Sequence, residues 1–367
     1  MTTIKDVARL ANVTHSTVSH ALSGKRPVAP ETRERILTAI RALNYHPNAA
    51  ALSLVSRRTH TVGLSLPLDE PTEASLPSIF LPFITHICLR LNHHGYKLLF
   101  LNAREDGGRS LLSAMYHGDV DGVLLLDVQT VDPRVDALRD AGFPFVAIGR
   151  PRQGRGVIRV DGDAEDAGAL AARHLFDLGH RHIAFLGQAA HAAFHHHALT
   201  GVRRAHAAYG LSLQRSRILA LSSHTVTDVR AALSPLLAAD PAVTALVVAS
   251  DLAAVAALRV LADYQRRVPA DMSLVALCES VLTVHAQPTL TAIRLPIAEG
   301  SQRAVDLLVG LLDGRRPSSM EQILPVTLQI GDSTGRIGLA LAPRRDEQRA
   351  VSNARPLSVR EGGASRS

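Results

Sequence analysis

Residues 12–28 read NVTHSTVSHALSGKRPV. Five hydroxyl side chains fall there: Thr14, Ser16, Thr17, Ser19 and Ser23. Two imidazoles, His15 and His20, stand among them. At 3.6 residues per turn, Val18, Ala21 and Leu22 share one face, while Ser16 and His20 form a row on another, with His15 and Ser19 beside it. Small donors and acceptors lined up outside a short helix suit contact with base edges and phosphate oxygens. A second grouping, HAAFHHHAL at 191–199, sets His191 and His195 four apart, so on a helix they would share a face. No cysteine or carboxylate follows at ligand spacing, so no metal is expected. The chain shows no Gly-rich phosphate loop, GxSxG elbow or HExxH pair, and nothing points to catalysis or to a cofactor.

Three short helices must position the polar row. Ile4–Ala11 turns Ile4, Val7, Ala8 and Ala11 inward. Asn12-Val13 makes a tight turn, and Thr14 caps a second helix over His15–Leu22. Ser23-Gly24 ends it. Pro30 opens a third helix that continues over Glu31–Leu43, with Ile36, Leu37, Ile40 and Leu43 on one side. Pro47 stops that pattern. NAAALSL, capped by Asn48, suits one more short helix, and VSRRTH reads as a linker.

From Thr61 the rhythm changes. TVGLSL, KLLFL (97–101), GVLLL (122–126) and FVAI (145–148) read as strands, with helical segments between them. A second series follows in HIAFLG (182–187), RILAL (217–221), ALVVA (245–249) and SLVAL (273–277). A parallel α/β pattern repeated twice predicts two doubly wound lobes. A ligand in such a fold lies at the carboxyl ends of the strands, here in a cleft between lobes.

The chain has 367 residues and a net charge of +7, unevenly placed. Residues 1–60 carry +6, residues 340–367 carry +3, and the middle is near neutral. A basic head on a near-neutral body implies a polyanionic partner for the head. Two distant cysteines, Cys88 and Cys278, fit a reducing compartment. The first residues lack a signal peptide's apolar run, and no window could span a membrane, so a cytoplasmic location with no membrane partner is expected. The expected division is a helix-turn-helix domain over 1–46, a hinge and linker over 47–60, a two-lobed body over 61–339 and a basic disordered tail over 340–367.

TIKDVARLANVTHSTVSHALSGKRPVAPETRERILTAIRALNYHPNAAALSL resembles the DNA-binding head of the lactose/purine-repressor family. GYKLLFLNAREDGGR, GDVDGVLLL, HLFDLGHRHIAFLG, ASDLAAVAALRVLADYQRRVPADMSLVAL and PTLTAIRLPIAEGSQRAVDLLVGLLDGRRP resemble its effector-sensing core. The likeness covers about residues 2–335. It implies an all-α helix-turn-helix head on a two-lobed, periplasmic-binding-protein-like α/β core. It also implies a homodimer that represses transcription from a near-palindromic double-stranded DNA operator.

Residue by residue, the resemblance gives His15, Ser16 and His20 the base-reading positions. Thr14, Thr17 and Ser19 fall to phosphate contact or capping, with Thr14 chiefly the cap. Lys5 and Arg26 become phosphate contacts, and Thr3 and Ala51 are counted with the DNA-binding positions. NAAALSL matches the family's hinge helix. Leu54 stands at the place of the leucine levered into the minor groove, where an apolar wedge kinks DNA. Leu52 replaces the family's usual Arg, which removes a positive charge near phosphate.

The sensing site departs further from the family. Phe80 sits where an aromatic stacks on the effector. The family's effector-binding Arg falls at Ala198, and two of its Asp fall at Gly149 and Cys278. Ser250, Asp251 and Glu279 remain as effector contacts, with capping the favoured role for Asp251. His195–His197 are expected to reach the effector in place of the missing Arg, His197 above all. Losing one Arg and two Asp argues against a simple free sugar. The effector is left as a sugar, a nucleobase or a related metabolite. The alternative is a cytoplasmic two-lobed binding protein with little effector control of DNA; the basic head and missing signal peptide argue against a periplasmic solute-binding protein, and the absence of catalytic motifs against an enzyme.

Overall fold

The computed structural model describes residues 2–23, 26–45, 58–66, 78–102, 106–152, 156–188 and 190–337. The hinge positions Ala51, Leu52 and Leu54 and the basic tail lie outside them.

The head is three helices: α1 (Ile4–Leu10), α2 (His15–Ser23) and α3 (Pro30–Ala42). Val7, Val18 and Ile36, one from each, are fully buried, and Ala8, Ala11, Ala21 and Ala39 close the gaps around them. Asn12 takes a left-handed φ of 50°, the tight turn that lets α2 leave α1 at once.

Two six-stranded sheets follow. The first has the order β11-β5-β4-β3-β1-β2. Its strands are β1 (Thr61–Leu66), β2 (Lys97–Asn102), β3 (Gly122–Leu125), β4 (Phe145–Ile148), β5 (Arg159–Gly162) and β11 (Glu321–Leu324). All its pairings are parallel. Helices α4 (Phe80–His93), α5 (Arg109–His117), α6 (Pro133–Asp140) and α12 (Ile297–Leu312) cover it. The second has the order β12-β10-β9-β8-β6-β7. Its strands are β6 (Ile183–Gly187), β7 (Ile218–Ala220), β8 (Ala245–Val248), β9 (Ser273–Ala276), β10 (Thr291–Arg294) and β12 (Thr327–Gln329). Helices α7 (Ala164–Asp177), α8 (Ala193–Ala208), α9 (Val226–Ala239), α10 (Asp251–Asp263) and α11 (Val281–His285) belong with it. Here β12 runs antiparallel to β10, against the wholly parallel expectation.

The eight strands read from apolar runs are present: β1 and β4 as expected, β2 one residue longer, and the other five shorter by one or two residues. Strands β5, β10, β11 and β12 are additional. The chain crosses between lobes three times, after β5, after β10 and after β11, so each lobe is closed by strands distant in sequence.

The Ala-rich sequence of α7 has a packing purpose. A Cβ on Gly168 would stand 1.9 Å from the Ala198 carbonyl oxygen, and one on Gly201 would stand 1.8 Å from that of Glu165. Helices α7 and α8 therefore touch backbone to backbone, with Ala167, Ala171 and Ala172 filling the core beside them. Ala198 is fully buried in this seam.

Candidate DNA-reading helix and inter-lobe cleft

In the head, the Thr17 N–H donates to Thr14 Oγ1 at 3.2 Å, which satisfies one open donor at the start of α2. The same oxygen lies 2.8 Å from the hydroxyls of Ser16 and Thr17. At the start of α1, the Thr3 N–H and hydroxyl both donate to Asp6, at 3.0 and 2.8 Å. Those two bonds hold the Asp6 carboxyl below the usual carboxylate range. His15 and Ser16 are exposed, while Thr17, Ser19 and His20 are half-buried. His20 Nδ1 is buried without a partner. Nε2 is thus the ring nitrogen that can meet a partner from outside. Lys5 and Arg26 are exposed.

In the body, the lobes are joined across the cleft. Gln129 pairs with Ala192 in an antiparallel bridge. The Thr130 N–H donates to the His191 carbonyl at 2.7 Å, and the Ala193 N–H to that of Val128 at 3.1 Å. The loop that makes these contacts is held by Arg134, itself 2 % exposed, whose guanidinium donates to Asp132, Ser65 and the carbonyls of Leu126 and Asp127.

Ser250 is the N-cap of α10: its backbone is extended, and its hydroxyl accepts from the Ala253 N–H at 3.1 Å. That corrects the expectation of Asp251 as the cap. Asp251 is the first helical residue, fully buried, and its carboxylate accepts from the Leu252 N–H at 2.8 Å and the Ser78 hydroxyl at 2.5 Å. Ser78 precedes α4, so this bond spans the cleft. Ser250 also lies 2.9 Å from His224 Nδ1. Phe80 begins α4, half-buried against the first lobe's core. Glu279 makes a two-pronged pair with Arg294, at 2.5 and 2.9 Å, within its own lobe.

The histidines separate. His191 is exposed and precedes α8, so it shares no helix face with His195. His195 is turned into the core. Its Nδ1 accepts from the Gln188 N–H at 3.0 Å, and burial, with His224 adding to it, pushes its pKa down to about 3. It is a neutral structural ring, against the expectation that it reaches a ligand. His197 meets the first lobe: Nε2 is 2.9 Å from the Arg150 carbonyl, and Nδ1 is 3.4 Å from Glu165 of its own lobe. Burial, then the Arg150 charge, lowers its pKa. Among the described residues no group of three His, Cys, Asp or Glu side chains could hold a metal ion.

Three departures from the family have local causes. Gly149 has a φ of +116°, and a Cβ there would stand 2.6 Å from Val128 Cγ2, so no Asp fits. Cys278 is buried beside Asp251, and burial raises its thiol pKa well above the ordinary value. Ala198 lies where the two helix backbones meet.

Sequence reasoning missed Ser78, Arg150, Asp161 and Glu165. Arg150 Nη2 is 3.2 Å from Glu165 across the cleft, and its Nε is 3.8 Å from Asp161. Arg150 lies two residues beyond the carboxyl end of β4, where a ligand-facing residue is to be sought. Asp161 lies on β5, which the sequence did not announce.

The family model for bacterial regulatory proteins of the lacI family matches residues 3–48, and that for a periplasmic binding protein-like domain matches residues 172–334. The HTH-type transcriptional regulator CelR of Thermobifida fusca is 33% identical over 334 residues, which cover 90% of this chain and 98% of that protein. The solved complex of the transcriptional regulator CelR with cellobiose matches at a TM-score of 0.68 and 30% identity, over 91% of this chain and 100% of that one. The lac repressor dimer bound to operator and the anti-inducer ONPF matches in fold at a TM-score of 0.75, with 23% identity over 91% of this chain and 99% of that one.

Proposed function

The chain belongs to the lacI family of bacterial regulatory proteins, and on that premise we propose a dimeric, cytoplasmic repressor whose operator affinity is set by a carbohydrate in the inter-lobe cleft. The observation that carries this reading is one polypeptide holding both parts. Helix α2 presents His15 and Ser16 to solvent, and in the body polar groups of the two lobes meet. His15, Ser16 and His20 read base edges, with Ala51 and Leu54 acting at the operator centre. Thr3, Lys5, Thr17, Ser19 and Arg26 meet the backbone, and Thr14 orders the helix that carries them.

The expectation against a simple sugar gives way to a carbohydrate effector. The CelR–cellobiose complex supports it, and so do the cleft's own groups. Arg150, Asp161 and Asp251 supply ionisable groups where Ala198, Gly149 and Cys278 do not. Phe80, His197 and Ser250 complete the wall, and Glu279 reaches a ligand only by leaving Arg294.

The dimer is supported by apolar side chains left open on the first lobe. Leu81 and Leu89 of α4 are 68 % and 62 % exposed, and Phe100 of the edge strand β2 is 48 % exposed. A second copy covering them would place two heads on two half-sites.

The test is selection from a random DNA pool by the full-length protein, with and without cellobiose. A near-palindrome whose enrichment changes with cellobiose is the expected result. An enriched palindrome indifferent to a panel of sugars would remove the carbohydrate and leave the regulator. No enriched sequence under any condition would overturn the reading.

A further inference from the structure

We propose that Arg150, Asp161 and Glu165 form a proton-controlled latch between the two lobes. Arg150 follows β4 in the first lobe, while Glu165 lies in the first turn of α7 in the second. Their 3.2 Å contact ties the lobes together, and the 2.9 Å contact of the Arg150 carbonyl with His197 adds a second tie. Asp161 competes for the same guanidinium from within the first lobe. It is 8 % exposed, and its ion-pair contact is Arg150 Nε at 3.8 Å, too long for a hydrogen bond. That Nε is buried and has no hydrogen-bond partner. Arg150 is thus held on Glu165 with one donor unused, aimed toward Asp161.

The other charges around Asp161 are accounted for. Arg159 on β5 is paired with Glu321 of β11 at 2.9 Å, so it is not free to move to Asp161. Asp163, in the turn before α7, and Glu321 both oppose a negative charge on Asp161. From α8, His197 and Arg204 join the cluster through Glu165, at 3.4 and 3.8 Å. Burial pushes the Asp161 pKa up to about 7, against the pull of Arg150.

Below that pH Asp161 is neutral, and Arg150 stays with Glu165. Above it, a buried carboxylate needs a partner. It gains one when Arg150 swings from Glu165, or gains water when the cleft opens and its pKa falls to the ordinary carboxylate range. Both responses loosen the lobes. Closure therefore takes up a proton, and the closed form gains about tenfold in population ratio between pH 8 and pH 6.

The latch is tested without DNA or effector, so its failure and that of the regulatory reading are distinguishable. Hydrogen–deuterium exchange of the full-length protein is followed for peptides containing Thr130 and Ala193, whose amides bridge the lobes. Rates are corrected for the intrinsic pH dependence of exchange. Protection is expected to fall about tenfold from pH 6 to pH 8 in the native chain, and less than about twofold in Asp161→Asn, which stays protected at both. An equal fall in both proteins, or no fall in the native chain, would overturn the proposal. Infrared spectra at pH 6 give an independent reading: a protonated-carboxyl band that Asp161→Asn removes supports the latch, and a spectrum unchanged by the substitution refutes it.

Discussion

His20 on α2 and Lys5 on α1 are expected to fail differently. On the proposed reading Lys5 meets phosphate, so in Lys5→Ala affinity should fall about equally on every operator, and the salt slope by about 1. If His20 reads a base through Nε2 as proposed, His20→Ala should remove about 1–3 kcal/mol of discrimination at one position of each half-site. Titrating both variants against the selected operator and a single-position change of it separates the two roles. A uniform loss for His20→Ala would place that ring on the backbone. His195 makes a prediction about acid. Its pKa is about 3 in the folded chain and near 6.5 when unfolded, so the unfolded chain binds the proton first. Stability present above pH 6.5 is then lost as pH falls toward 3, by up to about 1.4 kcal/mol per unit. His195→Leu should cost about 1–3 kcal/mol at neutral pH, since the Gln188 N–H loses its acceptor, yet flatten the acid limb of a urea-denaturation series. Residue types announced the polar row of α2, but they did not say which way each histidine of 195–197 turns. That depends on where α8 begins and on its seam with α7, neither of which is a property of the histidines.

Among the elements, the α7–α8 seam is the most sensitive to added volume. Gly201→Ala should destabilise the protein by more than about 3 kcal/mol or prevent its recovery in soluble form, because the new methyl meets the backbone of α7 rather than a side chain that could move. Gly310→Ala in α12 is the counterpart. Its Cβ would meet only Arg315 Nε, at 3.9 Å, so the change should be neutral or stabilise by up to about 1 kcal/mol. Thermal melts of the two variants side by side check both, and comparable melting points would mean that the helices separate at little cost. Strands buried on both faces were legible because they are uninterrupted apolar runs, as in TVGLSL and ALVV. RVDG, EQIL and TLQ carry no such run, because each lies toward a sheet edge and is short. Their partners are distant in sequence, as in the pairing of Glu321–Leu324 with Arg159–Gly162, and no local pattern reports that. The Asp161 side of the cleft was hidden with them.

For the whole molecule, the exposed apolar residues of the first lobe make the clearest prediction. Leu89→Glu with Phe100→Glu should give a monomer by analytical ultracentrifugation and lower operator affinity at least about a hundredfold, because one head then binds one half-site. A dimer that persists would move the interface elsewhere, for instance to Val281 and Val284, which are 63 % and 48 % exposed on α11.

The three crossings of the chain also set an order in time. The head ends at Ala42, whereas the second sheet lacks its edge until Thr327–Gln329 has been made, roughly 290 residues later. At about 5–20 residues per second, the ribosome needs about 15–60 s for that interval. Throughout it, a growing chain carries a finished reading head on an unfinished sensor. A repressor translated near its own target could therefore engage DNA before it is able to respond to any signal.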